Sequence, residues 1–327
     1  MDPITHRFTT SALAQQAQGR SFSVRYRLSP QYTFPSALLD ALISYLSLVS
    51  PPPGAFHTAI PPSQIIISGD SSGGGLAASL LLLLLTLHRV GITHLRFHGK
   101  DVPVTCPGGL ALSSPWLDIS RALPSVIRNV RYDIIAPPNT DLTVPHPDFP
   151  HDSIWPTSPP RAETYCEAMM VNHPLVSPLA AHAEHWRGSP PVYVSVGWES
   201  MQDESEVFSR RVHEAGGTVV FDGYKGMPHC FAVFPFNAAG RTAFSNWARF
   251  CRDSASSGVR RRDCGTWTDK FGEMRNVKLS RLGTRDGEWH GRDIDLDDET
   301  VNRMLTIQRE WREKLEGSLR ARCKASQ

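Results

Sequence analysis

The chain has 327 residues, 40% of them hydrophobic and 20% charged, which is ordinary for a globular protein and enough to bury a sizeable core without staples. Lys and Arg number 34 against 32 Asp and Glu, for a net charge of +2, a balance that offers no electrostatic footprint for nucleic acid or an anionic membrane. The six cysteines form no CxxC pair and their spacing suggests neither a disulfide framework nor a zinc site, which suits a reduced, cytoplasmic setting.

Residues 1–10 mix Asp2, His6 and Arg7 and do not read as a signal peptide. In chain order, strands are predicted at residues 22–26, 64–68, 109–113, 192–196 and 219–224, from short β-branched or apolar runs. Helical periodicity follows the first at 36–49, the second at 72–90, the fourth at 204–215 and the last at 238–253. Strands alternating with helices imply a mostly parallel sheet covered on both faces, an α/β fold. The helix over 72–90 holds six consecutive leucines, Leu80 to Leu85. Its uncharged stretch falls short of the ~20 residues that span a bilayer, so it is read as a core helix and no membrane span is expected. Between the third and fourth strands, residues 123–190 form a Pro-rich insertion beside the sheet. The core is therefore placed at 1–253, with 254–327 as a C-terminal extension. Residues 254–291 of that extension show little periodicity. The basic run Arg260, Arg261 and Arg262 is followed at once by Asp263 and reads as a solvated loop. Acids from Asp295 to Glu299 then open a final helix whose apolar face holds Val301, Met304, Leu305, Trp311 and Leu315.

One pentapeptide, Gly69-Asp70-Ser71-Ser72-Gly73, fits G-x-S-x-G. It follows a predicted strand and opens a predicted helix, the setting a nucleophile elbow requires. Crowding at such a turn calls for small residues, expected here at 69 and 73. A glycine-rich helix start with a capping serine would explain the same residues. Gly73, Gly75 and Ala78 also fit G-x-G-x-x-A, a dinucleotide fingerprint, but no acid follows at 93–100 and the glycines begin late. No cofactor is expected.

A serine nucleophile needs a base, and the base needs an orienting carboxylate. In such sheets the site forms beyond the carboxyl ends of the strands. Ser71, Glu199 and His229 each lie three to five residues past a predicted strand end, in the order Ser, acid, His. His94 and His98 are spaced i, i+4 but have no third ligand nearby, so no metal site is expected. Cys230, beside His229, reads as a passive small residue.

Longer stretches carry a family resemblance. Tyr26-Arg27-Leu28-Ser29-Pro30, Ser114-Pro115-Trp116-Leu117-Asp118, His173-Pro174-Leu175, Gly197-Trp198-Glu199-Ser200 and Gly226-Met227-Pro228-His229-Cys230-Phe231 flank or follow the elbow in a fixed order. Together they resemble hormone-sensitive-lipase-like α/β-hydrolases, and Trp198-Glu199 with His229-Cys230-Phe231 is most similar to the fungal branch. That branch includes carboxylesterases, sterol-acetate hydrolases and esterase-like proteins of toxin pathways. The resemblance implies Ser71 as nucleophile, His229 as base and Glu199 as acid, with Asp203 and Glu204 as first-turn acids of the next helix. It also implies a small-molecule ester as substrate.

The family carries a His-Gly-Gly-Gly loop whose N–H groups form most of the oxyanion hole, and no such run precedes Ser71 here. The chain opens on residues that resemble those just after that loop, so the first strands and part of the cap are expected to be missing. The Ser72 N–H is then the one obvious oxyanion donor. The expectation is a serine carboxylesterase for small acyl esters, with a catalytically impaired binding or scaffold relative as the alternative.

Overall fold

The protein is described by a computed structural model that covers residues 3–136, 161–234, 236–256, 262–287 and 293–325. The proline run at 137–160, Arg260 and Arg261 lie outside the described residues. In chain order the strands are β1 (Ile66–Asp70), β2 (His94–Phe97), β3 (Lys100–Pro103), β4 (Gly109–Ser113), β5 (Val192–Gly197), β6 (Val219–Tyr224), β7 (Cys264–Thr268) and β8 (Met274–Asn276). The helices are α1 (Arg7–Gln16), α2 (Ser36–Val49), α3 (Ser71–Arg89), α4 (Ser125–Arg128), α5 (Gln202–Glu214), α6 (Ala238–Ala255) and α7 (Asp298–Ala325). The main sheet runs β1-β4-β5-β6-β7-β8, parallel throughout except for the last pair, while β2 and β3 form a separate hairpin.

The period-2 alternation of a strand sorts its side chains between two helical layers. Leu110, Leu112, Val192, Val194 and Phe221 pack under α3, α5 and α7. Ala111, Tyr193 and Val220 face the other way, against Phe244, Trp247 and Phe250 of α6 and the apolar side of α1. Both faces are covered, which is why these strands read as continuous apolar runs. Helix α3 is, among the described residues, long and apolar enough by composition to cross a membrane. Its leucines instead serve two interfaces: Leu81 and Leu82 meet the sheet, while Leu80 and Leu84 meet Leu38, Ala41 and Tyr45 of α2.

Several elements differ from expectation, among them α1 and the β2–β3 hairpin, which no predicted element covers. Residues 22–26 form no strand. Their composition suits one, but a strand needs a neighbour, and among the described residues nothing pairs with the outer side of β1. The chain is tethered to α2 instead: the Arg27 backbone N–H donates to Asp40 Oδ2 at 2.8 Å, and the guanidinium binds the same carboxylate. The strand expected at 64–68 sits two residues later. The sheet also continues past residue 253, the expected end of the core. Strand β7 lies parallel to β6, with Trp267 against Phe221 and over Gly223.

Helix α7 docks as its apolar pattern implies. Val301 and Leu305 enter the main core, and Met304 packs against it. Farther along, Glu316 Oε2 accepts the N–H groups of Ala162 and Ala168 at 3.2 and 3.3 Å. Arg312 pairs with Glu163 and donates to the Ser120 carbonyl at 3.1 Å.

Candidate active site

Strand register brings the chemistry together. Asp70 is level with Ser113, Ser113 with Ser195, and Gly197 with Tyr224. Residues just past these carboxyl ends, Ser71, Ser114, Glu199 and His229, therefore share one edge of the sheet.

Ser71 occupies a sharp turn between β1 and α3 and holds a φ of 53°, in the left-handed region that costs a non-glycine residue energy. The turn folds Gly69 so tightly onto the next residues that a Cβ there would lie 2.4 Å from the Gly73 carbonyl oxygen. Gly73 itself is not the crowded partner, since a Cβ added to it meets nothing within 4 Å. Another tight position is Gly75, where a Cβ would lie 2.1 Å from the Trp116 carbonyl oxygen. Helix α3 thus starts pressed against the loop after β4, and the Trp116 N–H donates to the Ser71 carbonyl at 2.9 Å. That packing accounts for Gly75 without a dinucleotide.

Ser71 Oγ is 2.9 Å from His229 Nε2, and His229 Nδ1 is hydrogen-bonded to Glu199 Oε2. Glu199 is fully buried. Its other oxygen accepts the Ser114 hydroxyl at 2.6 Å and the Gly197 N–H at 3.0 Å. Burial on its own would lower the His229 pKa, but the Glu199 carboxylate outweighs it, with help from Asp133 and Asp70, and the net direction is upward. Such a chain can take a proton from Ser71 and hold the resulting imidazolium. Ser72 is the next residue of α3, in the first turn, where backbone N–H groups lack intrahelical acceptors. Tyr26, from the segment expected to be a strand, reaches the Ser72 side chain with its phenol, and burial raises its pKa.

Asp203 belongs to a different network. It accepts the Ser125 N–H at 2.8 Å and pairs with Arg128 at 2.7 Å, in the first turn of α5 beside Glu204. Cys230 donates its thiol to Asp70 Oδ2 at 3.6 Å, and burial together with Asp70 pushes the thiol strongly toward its protonated form, which suits a passive residue. Asp70 is also 3.2 Å from His6 Nε2. His94 lies in β2 and His98 in the turn after it, both exposed and in a hairpin separate from the main sheet.

Two residues escaped sequence reasoning. Ser114 stands directly past a strand end, so the rule that selects Ser71 and Glu199 could have found it. Asp133 sits in a loop with no periodic signal. Its carboxylate accepts the Ser200 N–H at 2.6 Å and the His229 N–H at 3.2 Å. Burial works against its ionisation, but the hydrogen bonds from Ser200 and Ile135 and the nearby His229 hold it below the usual carboxylate range.

A three-layer α/β sheet with a serine, histidine and carboxylate beyond its carboxyl ends defines a hydrolase-type architecture. Comparison with known proteins agrees: a family model described as alpha/beta hydrolase fold matches residues 1–233, and the chain belongs to that family, in its hormone-sensitive-lipase-like group. An acetyl-hydrolase of Streptomyces hygroscopicus is 26% identical over 260 residues, spanning 79% of this chain and 73% of the relative. A solved esterase of the bacterial hormone-sensitive lipase family is 26% identical, with a TM-score of 0.60 over 78% of this chain and 73% of that one. An esterase/lipase from an uncultured bacterium, 23% identical with a TM-score of 0.60 over 78% and 72% of the two chains, shares the fold. The protein is thus an esterase- or lipase-like α/β-hydrolase, a family whose substrates are small-molecule esters.

Proposed function

We propose that the protein is a serine carboxylesterase that hydrolyses small acyl esters, acetyl esters among them. The observation that carries this reading is the hydrogen-bonded chain from Ser71 Oγ through His229 to buried Glu199. Ser71 attacks the ester carbonyl while His229 Nε2 takes its proton. The Ser72 N–H stabilises the oxyanion, and His229 then protonates the leaving alkoxide. Water, activated by the same imidazole, releases the acid from the acyl-serine. Acetyl preference draws support from the Streptomyces acetyl-hydrolase, and a place in secondary metabolism draws support from the resemblance to the fungal branch.

A second reading is a relative that acylates but turns over poorly, as a site short of one oxyanion donor would, since losing one such donor typically costs ~10²–10³ in rate. A fluorophosphonate probe together with p-nitrophenyl acetate tests both. Labelling of Ser71 with ordinary turnover, both lost in Ser71→Ala, is the expected result. Labelling without turnover selects the second reading, and labelling that persists in Ser71→Ala refutes the assignment of the nucleophile.

A further inference from the structure

We propose that Asp133 is a positioning residue of the triad, a clasp that fixes the Glu199 loop against the His229 loop and places a second negative charge beside the imidazolium. The inference rests on the esterase reading of the same site.

Glu199 and His229 come from different strand ends, and besides their side-chain contact the Ser114 hydroxyl bridges them, donating to Glu199 at 2.6 Å and accepting the Cys230 N–H at 3.0 Å. Their loops need a common anchor if the 2.9 Å contact from His229 to Ser71 is to persist. Asp133 supplies one, because one oxygen receives the backbone N–H of Ser200, the neighbour of Glu199, and the other receives the backbone N–H of His229. It also binds its own loop, accepting the Ile134 N–H at 2.7 Å. The rest of this segment wraps the acid loop. Ser125 Oγ donates to the Ser200 carbonyl at 2.6 Å, Asn129 Nδ2 donates to the Glu199 carbonyl at 3.0 Å, and the Tyr132 ring meets Trp198 at 5.2 Å. Every member of the acid loop from Trp198 to Ser200 is thereby gripped.

The charge of Asp133 matters separately from its hydrogen bonds. The ionisable groups around His229 are Glu199, Asp133, Asp70 and the Cys230 thiol, with His6 behind Asp70. Glu199 touches the ring. Asp133 acts from the backbone side, and the cation that also feels its charge is the Arg121 guanidinium, which donates to the Ala136 carbonyl at 3.0 Å. Imidazolium develops as Ser71 attacks, so a nearby carboxylate stabilises the transition state more than the resting site.

The test follows the rate of fluorophosphonate labelling of Ser71 against pH, which needs no turnover. Asp133→Asn removes the charge and keeps one carbonyl acceptor. The acid limb, set by the need for neutral His229, should move down by about 0.5–1 pH unit. The plateau rate should fall roughly threefold to tenfold, since one pKa unit of imidazolium stabilisation corresponds to a factor of ten. Asp133→Glu keeps the charge but misplaces it, so its limb should stay while its rate falls. A merely structural residue would lower the rate or the melting temperature with the limb unmoved in Asp133→Asn, and that result overturns the proposal. If Asp133→Asn does not fold, a shifted limb in Asp133→Glu overturns it instead. Absence of Ser71 labelling in the unmodified protein would refute the esterase reading, a different outcome from a labelled protein whose limb ignores Asp133.

Discussion

Replacing Glu199 by glutamine separates charge from shape at the buried end of the triad. Oε1 receives two donors, the Ser114 hydroxyl and the Gly197 N–H, so a glutamine must put its carbonyl oxygen there. Its NH₂ group then faces His229 Nδ1, where Glu199 Oε2 stood. Nδ1 is forced to accept, the ring proton moves to Nε2, and Ser71 faces a donor instead of a base. An equivalent tautomer error in a serine protease costs ~10⁴ in kcat, or about 5.4 kcal/mol at 1.36 kcal/mol per decade. Asp203→Asn is the matched control, because its carboxylate is engaged with Ser125 and Arg128 rather than with the imidazole. Its cost should fall on the melting temperature, with the rate changed by less than about tenfold. Steady-state hydrolysis of p-nitrophenyl acetate and the labelling rate of Ser71, measured beside thermal melts, report both quantities. If Asp203→Asn slows the chemistry more than Glu199→Gln, the assignment of the acid is wrong.

Two further outcomes follow from the geometry. Gly69→Ala should destabilise the fold or dislocate the elbow, since its Cβ meets backbone at 2.4 Å, whereas Gly73→Ala meets open space and should hold stability or raise it by up to ~1 kcal/mol of helix propensity, read from thermal or denaturant melts; the reverse order would refute the described turn. The upward direction of the His229 pKa means that neutral base is lost, as pH falls, at a pH above the ordinary histidine value of 6.5. Esterase activity should therefore decline on acidification earlier than a free imidazole would dictate, and a limb well below 6.5 in a kcat/KM profile would contradict it.

Much of this was legible in the sequence because the informative residues are buried on both sides. Strands β4, β5 and β6 read as apolar runs because helices cover both faces of each, and α2 was bounded correctly by its own periodicity. The clustering of Ser71, Glu199 and His229 was legible because each follows a strand end, a local signal that register then turns into proximity. What failed was nonlocal. Residues 22–26 have strand composition but no partner to pair with. β7 contains Cys264 and Gly265 and carries little apolar pattern; it is held by Trp267 lying over Gly223, forty-four residues earlier in the chain. Which elbow glycine is crowded depends on how the turn closes, and the pentapeptide alone pointed to Gly73 as readily as to Gly69. Asp133 lies in an irregular loop, and its importance comes from two backbone amides supplied by residues 67 and 96 positions away.

The late arrival of β7 bears on how the chain is made. Ser71, Glu199 and His229 have all been synthesised by residue 229, yet the exposed flank of β6 waits forty residues, from Tyr224 to Cys264, for its neighbour. At about 5–20 residues per second that interval lasts roughly 2–8 s. For that time a nascent chain with these three residues already present offers an unpaired hydrogen-bonding flank, open to holdases, to a neighbouring chain on the same message, or to mispairing. Slow codons between positions 224 and 264 would lengthen this exposure, and stretches translated quickly would shorten it, so synonymous changes there bear on yield without altering a single residue of the protein.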